Sequence, residues 1–233
     1  MCAMGRMATR RKGTLHDSVK EPDQLVSVAS LTVRVAMSSA PRGGQAQLVG
    51  NATLERLTRV HWIVPLALFG PVIGVLLWRQ VIHGQTYGLV AAFAGGLCLW
   101  TVTEYGIHRF VFPLTPRRRA GMAAVYLVHG VHHAYPGDVG RVVMPPIVSV
   151  PLACAFYLLF VGSLVVSMGE GLYAGFLAGY VGYDTMHAAF HAAGPHAPWL
   201  ARLRRNHMLH HFQCPDRRFG VSTTFWDHVF GSR

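Results

Sequence analysis

Long apolar runs separated by short polar segments dominate the chain beyond its first quarter. The runs cover residues 60–78, 87–112, 144–168 and 171–190. A helix needs roughly 20 apolar residues to cross the hydrocarbon core of a bilayer. Prolines inside the runs, such as Pro71 and Pro151, are tolerated in membrane helices because neighbouring groups satisfy the freed backbone. The pattern therefore predicts four transmembrane helices, the last two joined as a tight hairpin.

The more polar segments around these runs predict additional helices at the membrane surface. Residues 120–133 and 199–212 are expected to be helical, and a short helix is expected near the C-terminus. The predicted fold class is therefore all-α and integral to the membrane. It has four transmembrane helices and a cytoplasmic helical cap.

Residues 1–59 differ from the rest of the chain and are expected to form a basic, disordered N-terminal segment ahead of a membrane domain over residues 60–233. They contain no apolar core of a signal peptide. Residues 26–35 alternate like a strand, but no partner strand is evident. Met37 is an alternative start residue.

Composition and charge support the membrane assignment and set its orientation. The chain of 233 residues is 52% hydrophobic and 13% charged, against about 25% charged residues in soluble domains. Nine of its 21 lysines and arginines precede the first run. All others except Arg79 lie near the end of the second run, within 113–143, or after the fourth run. This bias predicts a multi-pass protein with both termini in the cytoplasm.

The net charge of +11 favours anionic lipid headgroups as the partner of the basic segments. Nucleic acid is the other common partner of a basic chain. No recognition motif and no interleaving of aromatic and basic residues supports it.

Nine of the 14 histidines are gathered in four groups, all at the predicted cytoplasmic ends of helices. Residues three or four apart share a helical face, so these imidazoles can converge on metal. In an H-x-x-H-H group the adjacent pair diverges by about 100°, which suggests two metals rather than one. The groups are His108; His129, His132 and His133; His187 and His191; and His207, His210 and His211.

Two carboxylates precede histidines by about one helical turn, Glu104 before His108 and Asp184 before His187. Each is a candidate acceptor for the outer ring N–H of a metal-bound imidazole. The alternative is that each pairs with Arg109 or with interfacial water.

Ligation by nitrogen alone suits zinc, copper, iron or nickel. The H-E-x-x-H motif of hydrolytic zinc sites is absent from the sequence. Two histidine-held metals at a membrane surface instead suggest oxygen chemistry on an unactivated C–H bond of an apolar substrate.

These segments resemble the fatty acid hydroxylase/sterol desaturase superfamily of integral membrane di-iron enzymes, and are most similar to its fatty acid alpha-hydroxylase branch. The resemblance covers residues 100–233 well. Its motifs are TEYGIHRF at 103–110, HGVHH at 129–133, VVMPP at 142–146, GYDTMH at 182–187 continuing to His191, HMLHH at 207–211, and FGVST at 219–223 with Trp226 and Asp227.

The resemblance implies O2-dependent hydroxylation of a long-chain fatty acid or fatty acyl lipid by two iron ions, with zinc as an ion the isolated protein could carry. Electrons would come from an external donor. Eukaryotic relatives often carry a fused cytochrome b5 domain, and residues 1–59 are too short for one, so a separate cytochrome b5-like or ferredoxin-type protein is expected. The implied ligands are His108, His129, His132, His133, His187, His191, His207, His210 and His211.

One position departs from the family pattern. The first family motif has a second histidine five residues after the first, and this chain has Pro113 there. Proline cannot ligate metal, so one iron is expected to lack a ligand, to hold water in its place, or to take another donor. His196 is the candidate donor.

Two alternative functions remain at this point. A carotenoid or sterol oxygenase or desaturase of the same superfamily would use the same metals on another lipid. A histidine-rich membrane protein that binds or transports metal is the non-enzymatic alternative. Transport is disfavoured because its ligands would lie near the bilayer midplane and on both sides.

Overall fold

The computed structural model describes residues 24–28, 31–35, 44–84, 86–164, 166–192 and 197–233, and this part of the chain is predominantly helical. Three shorter segments depart from α-geometry: π-helical turns at Ile107–Val111 and Tyr126–Gly130, and a 3-10 turn at Val139–Arg141. The regular elements are β1 (Gln24–Val28), β2 (Leu31–Val35), α1 (Ala52–Leu57), α2 (Val64–Ile82), α3 (Thr86–Gly106), α4 (Arg119–Val125), α5 (Val131–Ala134), α6 (Pro146–Ser163), α7 (Val166–His191), α8 (Pro198–Phe212) and α9 (Phe225–Val229).

Within the described residues, three helical segments are long and apolar enough to cross a membrane: Val64–Ile82, Gly88–Val111 and Val139–Ser163. They coincide with the first three predicted runs. Large apolar side chains such as Val90 and Leu158 are exposed on their outer faces. Contiguous exposed apolar surface of this kind marks contact with lipid or with another apolar partner.

The fourth predicted run lies in α7, which differs in character from the other three. α7 is long enough to span a bilayer, but it is less apolar than the other three segments and is not among those apolar enough to cross a membrane. The physical reason is its place in the fold. It packs against α2, α3 and α6, so much of its surface faces protein, and it accommodates the buried polar residues Glu170 and Asp184.

Small residues bring α3 and α7 into close contact. A Cβ added at Gly96 would lie 2.0 Å from the Leu172 carbonyl oxygen, and one added at Gly175 would lie 2.0 Å from the Phe93 carbonyl oxygen. Helices in membranes associate through such close backbone approach. Farther along the same interface, toward the histidine-bearing ends of the two helices, Trp100 packs edge-on against Tyr180 with ring centroids 5.3 Å apart. This contact fixes the helices that carry His108 and His187.

The described part of residues 1–59 contains two strands and a short helix, although this segment is expected from its sequence to be disordered. β1 and β2 pair antiparallel, with Gln24 opposite Val35, so the alternating stretch finds its partner within itself. Residues 1–23, 29–30 and 36–43 lie outside the described part.

Residues 44–59 are bound to the histidine-bearing helices rather than separate from them. Ala46, Leu48 and Val49 are buried against Val131 and its neighbours. Two ion pairs, Arg59 with Asp138 and Arg141 with Glu55, tie this segment to the loop after α5. The segment therefore braces the helix that carries His132 and His133, and the domain boundary at residue 60 stays a prediction.

The glycine contact yields a stability prediction with a control on the same helix. Gly175→Ala forces α3 and α7 apart and should lower the free energy of unfolding by about 1–3 kcal/mol, as overpacking does. Gly182→Ala adds a methyl group where nothing lies within 4 Å, so it should leave stability unchanged or raise it. Thermal unfolding of the purified protein in detergent tests this. Equal unfolding temperatures for the two variants would contradict the packing argument.

Candidate metal centre

The nine histidines identified from the sequence form two adjacent clusters. The five-histidine cluster comprises His132, His187, His191, His207 and His211, and the four-histidine cluster comprises His108, His129, His133 and His210. In each cluster, one ring nitrogen from every member lies within 4.8 Å of the others. No carboxylate or cysteine of the described residues belongs to either cluster.

The adjacent pairs of the two H-x-x-H-H groups point into different clusters, as the helical angle predicts. His132 joins the five-histidine cluster and His133 joins the four-histidine cluster. His211 and His210 divide in the same way. The two clusters therefore share α5 and α8, and neither can form without the other's helices.

Ring nitrogens in the five-histidine cluster are too crowded for hydrogen bonding alone. Nε2 of His207 lies 2.9 Å from Nε2 of His187, and also 2.9 Å from Nε2 of His191 and of His211. A neutral ring nitrogen donates at most one hydrogen, so most of these lone pairs would face one another. A shared cation removes this repulsion. Metal–nitrogen bonds of about 2.1 Å at right angles give nitrogen pairs about 3 Å apart, which agrees with the observed spacing.

Backbone carbonyls fix the ring orientation of three histidines. Nδ1 of His108 donates to the Phe219 carbonyl at 2.5 Å, and Nδ1 of His210 donates to the Arg217 carbonyl at 2.6 Å. Nδ1 of His191 donates to the Pro136 carbonyl at 2.8 Å. A hydrogen on Nδ1 leaves the Nε2 lone pair free, and these bonds therefore select the tautomer that binds metal.

Burial favours the neutral form of the clustered histidines by lowering their pKa. Burial, followed by the neighbouring imidazoles of His210 and His191, lowers the pKa of His133 to about 3. Burial and nearby histidines also lower the pKa of His132 and of His207 well below the ordinary value. Neutral imidazole is the form that ligates metal, so the site needs no proton release from these rings before a cation binds.

The π-helical turns aim His108 and His129 at the four-histidine cluster. Phe112 N–H donates to the Ile107 carbonyl, five residues back, at 3.0 Å. This wider repeat brings residues five apart onto nearly the same face, which an ordinary α-helix does not do. As a result, Pro113 lines the same cavity as His108.

That cavity, about 220 Å³ in volume, adjoins all four histidines of the four-histidine cluster. Phe112 closes one wall by stacking on His129, with ring centroids 4.0 Å apart. Among the described residues no further donor completes the cluster, and His196 lies outside them. The two clusters thus differ in donor number, and the smaller one opens toward Pro113.

The two predicted carboxylate partners do not contact the histidines they precede. Oε1 of Glu104 accepts hydrogen bonds from the backbone N–H groups of Val221 at 2.6 Å and Ser222 at 3.0 Å. Asp184 accepts a bond of 3.4 Å from the Met144 backbone N–H. Both carboxylates therefore hold neighbouring segments in place. No hydrogen bond joins either carboxylate to the histidine that it precedes, so the role of the two carboxylates in orienting His108 and His187 stays a prediction.

Asp227 is a supporting residue that sequence reasoning missed. Its Oδ1 accepts from the Phe219 N–H at 2.9 Å and from Ser232 Oγ at 2.8 Å, and its Oδ2 accepts from the Gly220 N–H at 3.1 Å. These bonds place the Phe219 carbonyl that His108 uses. The only sequence signal for Asp227 was its position in the tail motif. Every residue type has a backbone carbonyl, so the sequence does not show that the Phe219 carbonyl accepts from His108.

Comparisons with known proteins show the family to which the chain belongs. A family model described as fatty acid hydroxylase matches residues 93–232. Dihydroceramide fatty acyl 2-hydroxylase FAH1 of Arabidopsis thaliana is 34% identical over 199 residues, 85% of this chain and 82% of that protein. Ceramide very long chain fatty acid hydroxylase SCS7 of Saccharomyces cerevisiae is 37% identical over 196 residues. The matched region is 81% of this chain and 50% of that protein.

A solved structure is also similar. It is full-length Scs7p, in which only the hydroxylase domain is visible. The TM-score is 0.75 at 34% sequence identity, over 81% of this chain and 73% of that one.

The open side of the four-histidine cluster yields a prediction about metal retention. Pro113→His supplies the missing imidazole and should slow metal loss from this cluster roughly tenfold or more, by the scale on which ligand shells alter affinity. Chelator challenge followed by metal analysis measures this, and Leu114→His, exposed on the same segment, is the matched control. Equal release from both variants would contradict the assignment of Pro113 to the site.

Asp227 allows a second prediction. Asp227→Ala leaves the buried N–H groups of Phe219 and Gly220 without an acceptor, which should cost about 3 kcal/mol of stability. It should also speed metal loss from the four-histidine cluster. Asp216→Ala removes an exposed carboxylate of the same segment and should change neither property. Thermal unfolding and metal content measured together test this, and normal metal retention in Asp227→Ala would refute the supporting role.

Proposed function

The chain belongs to the fatty acid hydroxylase family, and on that premise we propose that it is a membrane di-iron monooxygenase acting at carbon 2 of a fatty acyl chain. The observation that carries the proposal is the pair of imidazole clusters that meet beside apolar membrane helices. The named relatives are hydroxylases of fatty acids and ceramides. Their names favour an acyl substrate over the carotenoid and sterol alternatives.

The donor set fits iron, because neutral imidazoles with their lone pairs directed inward suit a divalent transition metal. The five-histidine cluster would hold one ion and the four-histidine cluster the other. Bound iron supplies the redox chemistry by which O2 oxidises an unactivated C–H bond. The balance is one C–H bond, one O2, two electrons and two protons in, and one C–OH group and one water out.

The role of the chain in this reaction is to hold the lipid and to exclude water. An apolar crevice lies between α3, α6 and α7, lined by Trp100, Leu152, Phe176 and other apolar residues. Its lining includes Ile107, the neighbour of His108 in the π-helical turn. An acyl chain entering from the bilayer side would be guided along this crevice toward the histidines, which is where carbon 2 must lie.

The proposed function includes a topology with four crossings and a cytoplasmic cap. α7 would be the fourth crossing, shielded from lipid by the other three helices. The exposed arginines at 117–119 lie on the connection between α3 and the cap, consistent with a cytoplasmic surface. Both termini would then be cytoplasmic, together with the metal centre and the electron donor.

Lipid analysis tests the function directly. Expression of the chain in a host with iron and a compatible electron donor should produce 2-hydroxy fatty acids, detected by mass spectrometry after lipid hydrolysis. His207→Ala, which removes a buried member of the five-histidine cluster, should reduce this product below detection. His83→Ala, which alters an exposed histidine outside both clusters, should not.

Hydroxylation at another carbon would correct the proposed position. An iron-loaded wild-type chain that yields no hydroxylated lipid would contradict the proposed activity.

A further inference from the structure

A cavity of about 410 Å³ lies between α8 and the C-terminal tail, and arginines dominate its lining. Arg202, Arg205 and Arg233 are exposed there, and Arg218 is half-buried. Within the described part of the chain none of the four forms an ion pair with a carboxylate. We call this surface the arginine pocket. Its positive charge is therefore open to a partner.

Arg218 is held in place by the protein rather than left as a loose surface side chain. Its φ of 61° lies in the left-handed region, which is costly for a residue with a Cβ. Its backbone N–H donates to the Ser232 carbonyl at 2.7 Å. Its guanidinium donates to Oδ1 of Asn206 at 2.8 Å. Both contacts fix the backbone around residue 218.

That backbone connects the arginine pocket to the metal centre. The residues on either side of Arg218 provide the carbonyls that accept from His210 and His108. Both histidines belong to the four-histidine cluster. The path from the pocket surface to a metal ligand is therefore one peptide unit and one hydrogen bond.

α8 makes a second connection. Arg202 and Arg205 are exposed on it, whereas His207 and His211 are buried in the five-histidine cluster. At about 100° per residue, Arg205 and His207 lie about 200° apart around the helix. One helix thus presents cations to the outside and metal ligands to the inside.

We propose that the arginine pocket is the docking site for the acidic face of a one-electron carrier protein. This inference rests on the proposed function, which consumes two electrons for each hydroxylation. The carrier would dock twice for each turnover. Each docking oxidises the carrier by one electron and reduces the metal centre by one, while protons come from water. The positive charge of the pocket complements an acidic protein surface, and the short path to His210 and His108 favours an electron carrier over an anionic lipid headgroup.

The test uses the full chain, loaded with iron, in nanodiscs of phosphatidylcholine without added lipid substrate. Reduced soluble cytochrome b5 and a reduced plant-type ferredoxin, both acidic, are the probes. Their oxidation is followed by stopped-flow absorbance at several ionic strengths. The pocket variant is R202E/R205E, and the matched control is R117E/R118E, which makes the same charge change at exposed positions outside the pocket.

The pocket variant should lower the second-order oxidation rate constant at low salt at least about tenfold, as loss of electrostatic steering does. Its rate should also depend less on ionic strength. The control should stay within about twofold of the wild type, since its charges lie outside the docking surface. Metal content and thermal unfolding should be unchanged in both variants.

Equal rates for the pocket variant and the control with both probes would overturn the proposal. So would unchanged donor kinetics combined with lost binding to vesicles containing phosphatidylserine, which would identify a lipid headgroup site. The experiment measures oxidation of the donor and not formation of a lipid product, and its outcome is therefore separable from the proposed function. Pocket-dependent donor oxidation here, combined with no hydroxylated lipid in the separate expression assay, would leave the docking site standing and refute the hydroxylase activity alone.

Discussion

Lone-pair repulsion among converging imidazoles is the constraint on which the rest of this structure depends. Neutral ring nitrogens lie 2.9 Å from one another around His207, and hydrogen bonds cannot satisfy them all. Burial prevents the rings from taking protons in place of a metal. Bound cations would therefore relieve the repulsion between the imidazole lone pairs. Metal binding and folding are expected to be coupled.

The remainder of the fold holds this arrangement together from several sides. Glycine-mediated contact between α3 and α7 fixes His108 relative to His187. Residues 44–59 brace α5 through Val131, and Asp227 orders the tail segment whose carbonyl accepts from His108. The two histidine clusters are thus held in place by elements distant in sequence, as a preorganised site requires.

Much of the site could be predicted because helical spacing carries its information. The three- and four-residue intervals identified eight of the nine clustered histidines, all except the isolated His108, which the resemblance supplied. The angle between neighbours predicted that His132 and His133 would diverge. The π-helical turn after α3 could not be predicted, since a single inserted residue leaves no periodic signal. The backbone N–H groups that donate to Glu104 and Asp184 could not be predicted, because spacing along one helix does not reveal contacts with segments distant in sequence. The β1–β2 hairpin was missed because its pairing partner lay within the same alternating stretch.

The most direct test of the account is the metal content of the purified full chain, combined with X-ray absorption at the iron edge. The account predicts two metal ions per chain, each surrounded by nitrogen at about 2.0–2.2 Å, as imidazole ligation requires. It also predicts the lower coordination by histidine at one of the two ions. A single ion per chain, or a shell containing sulfur, would contradict it.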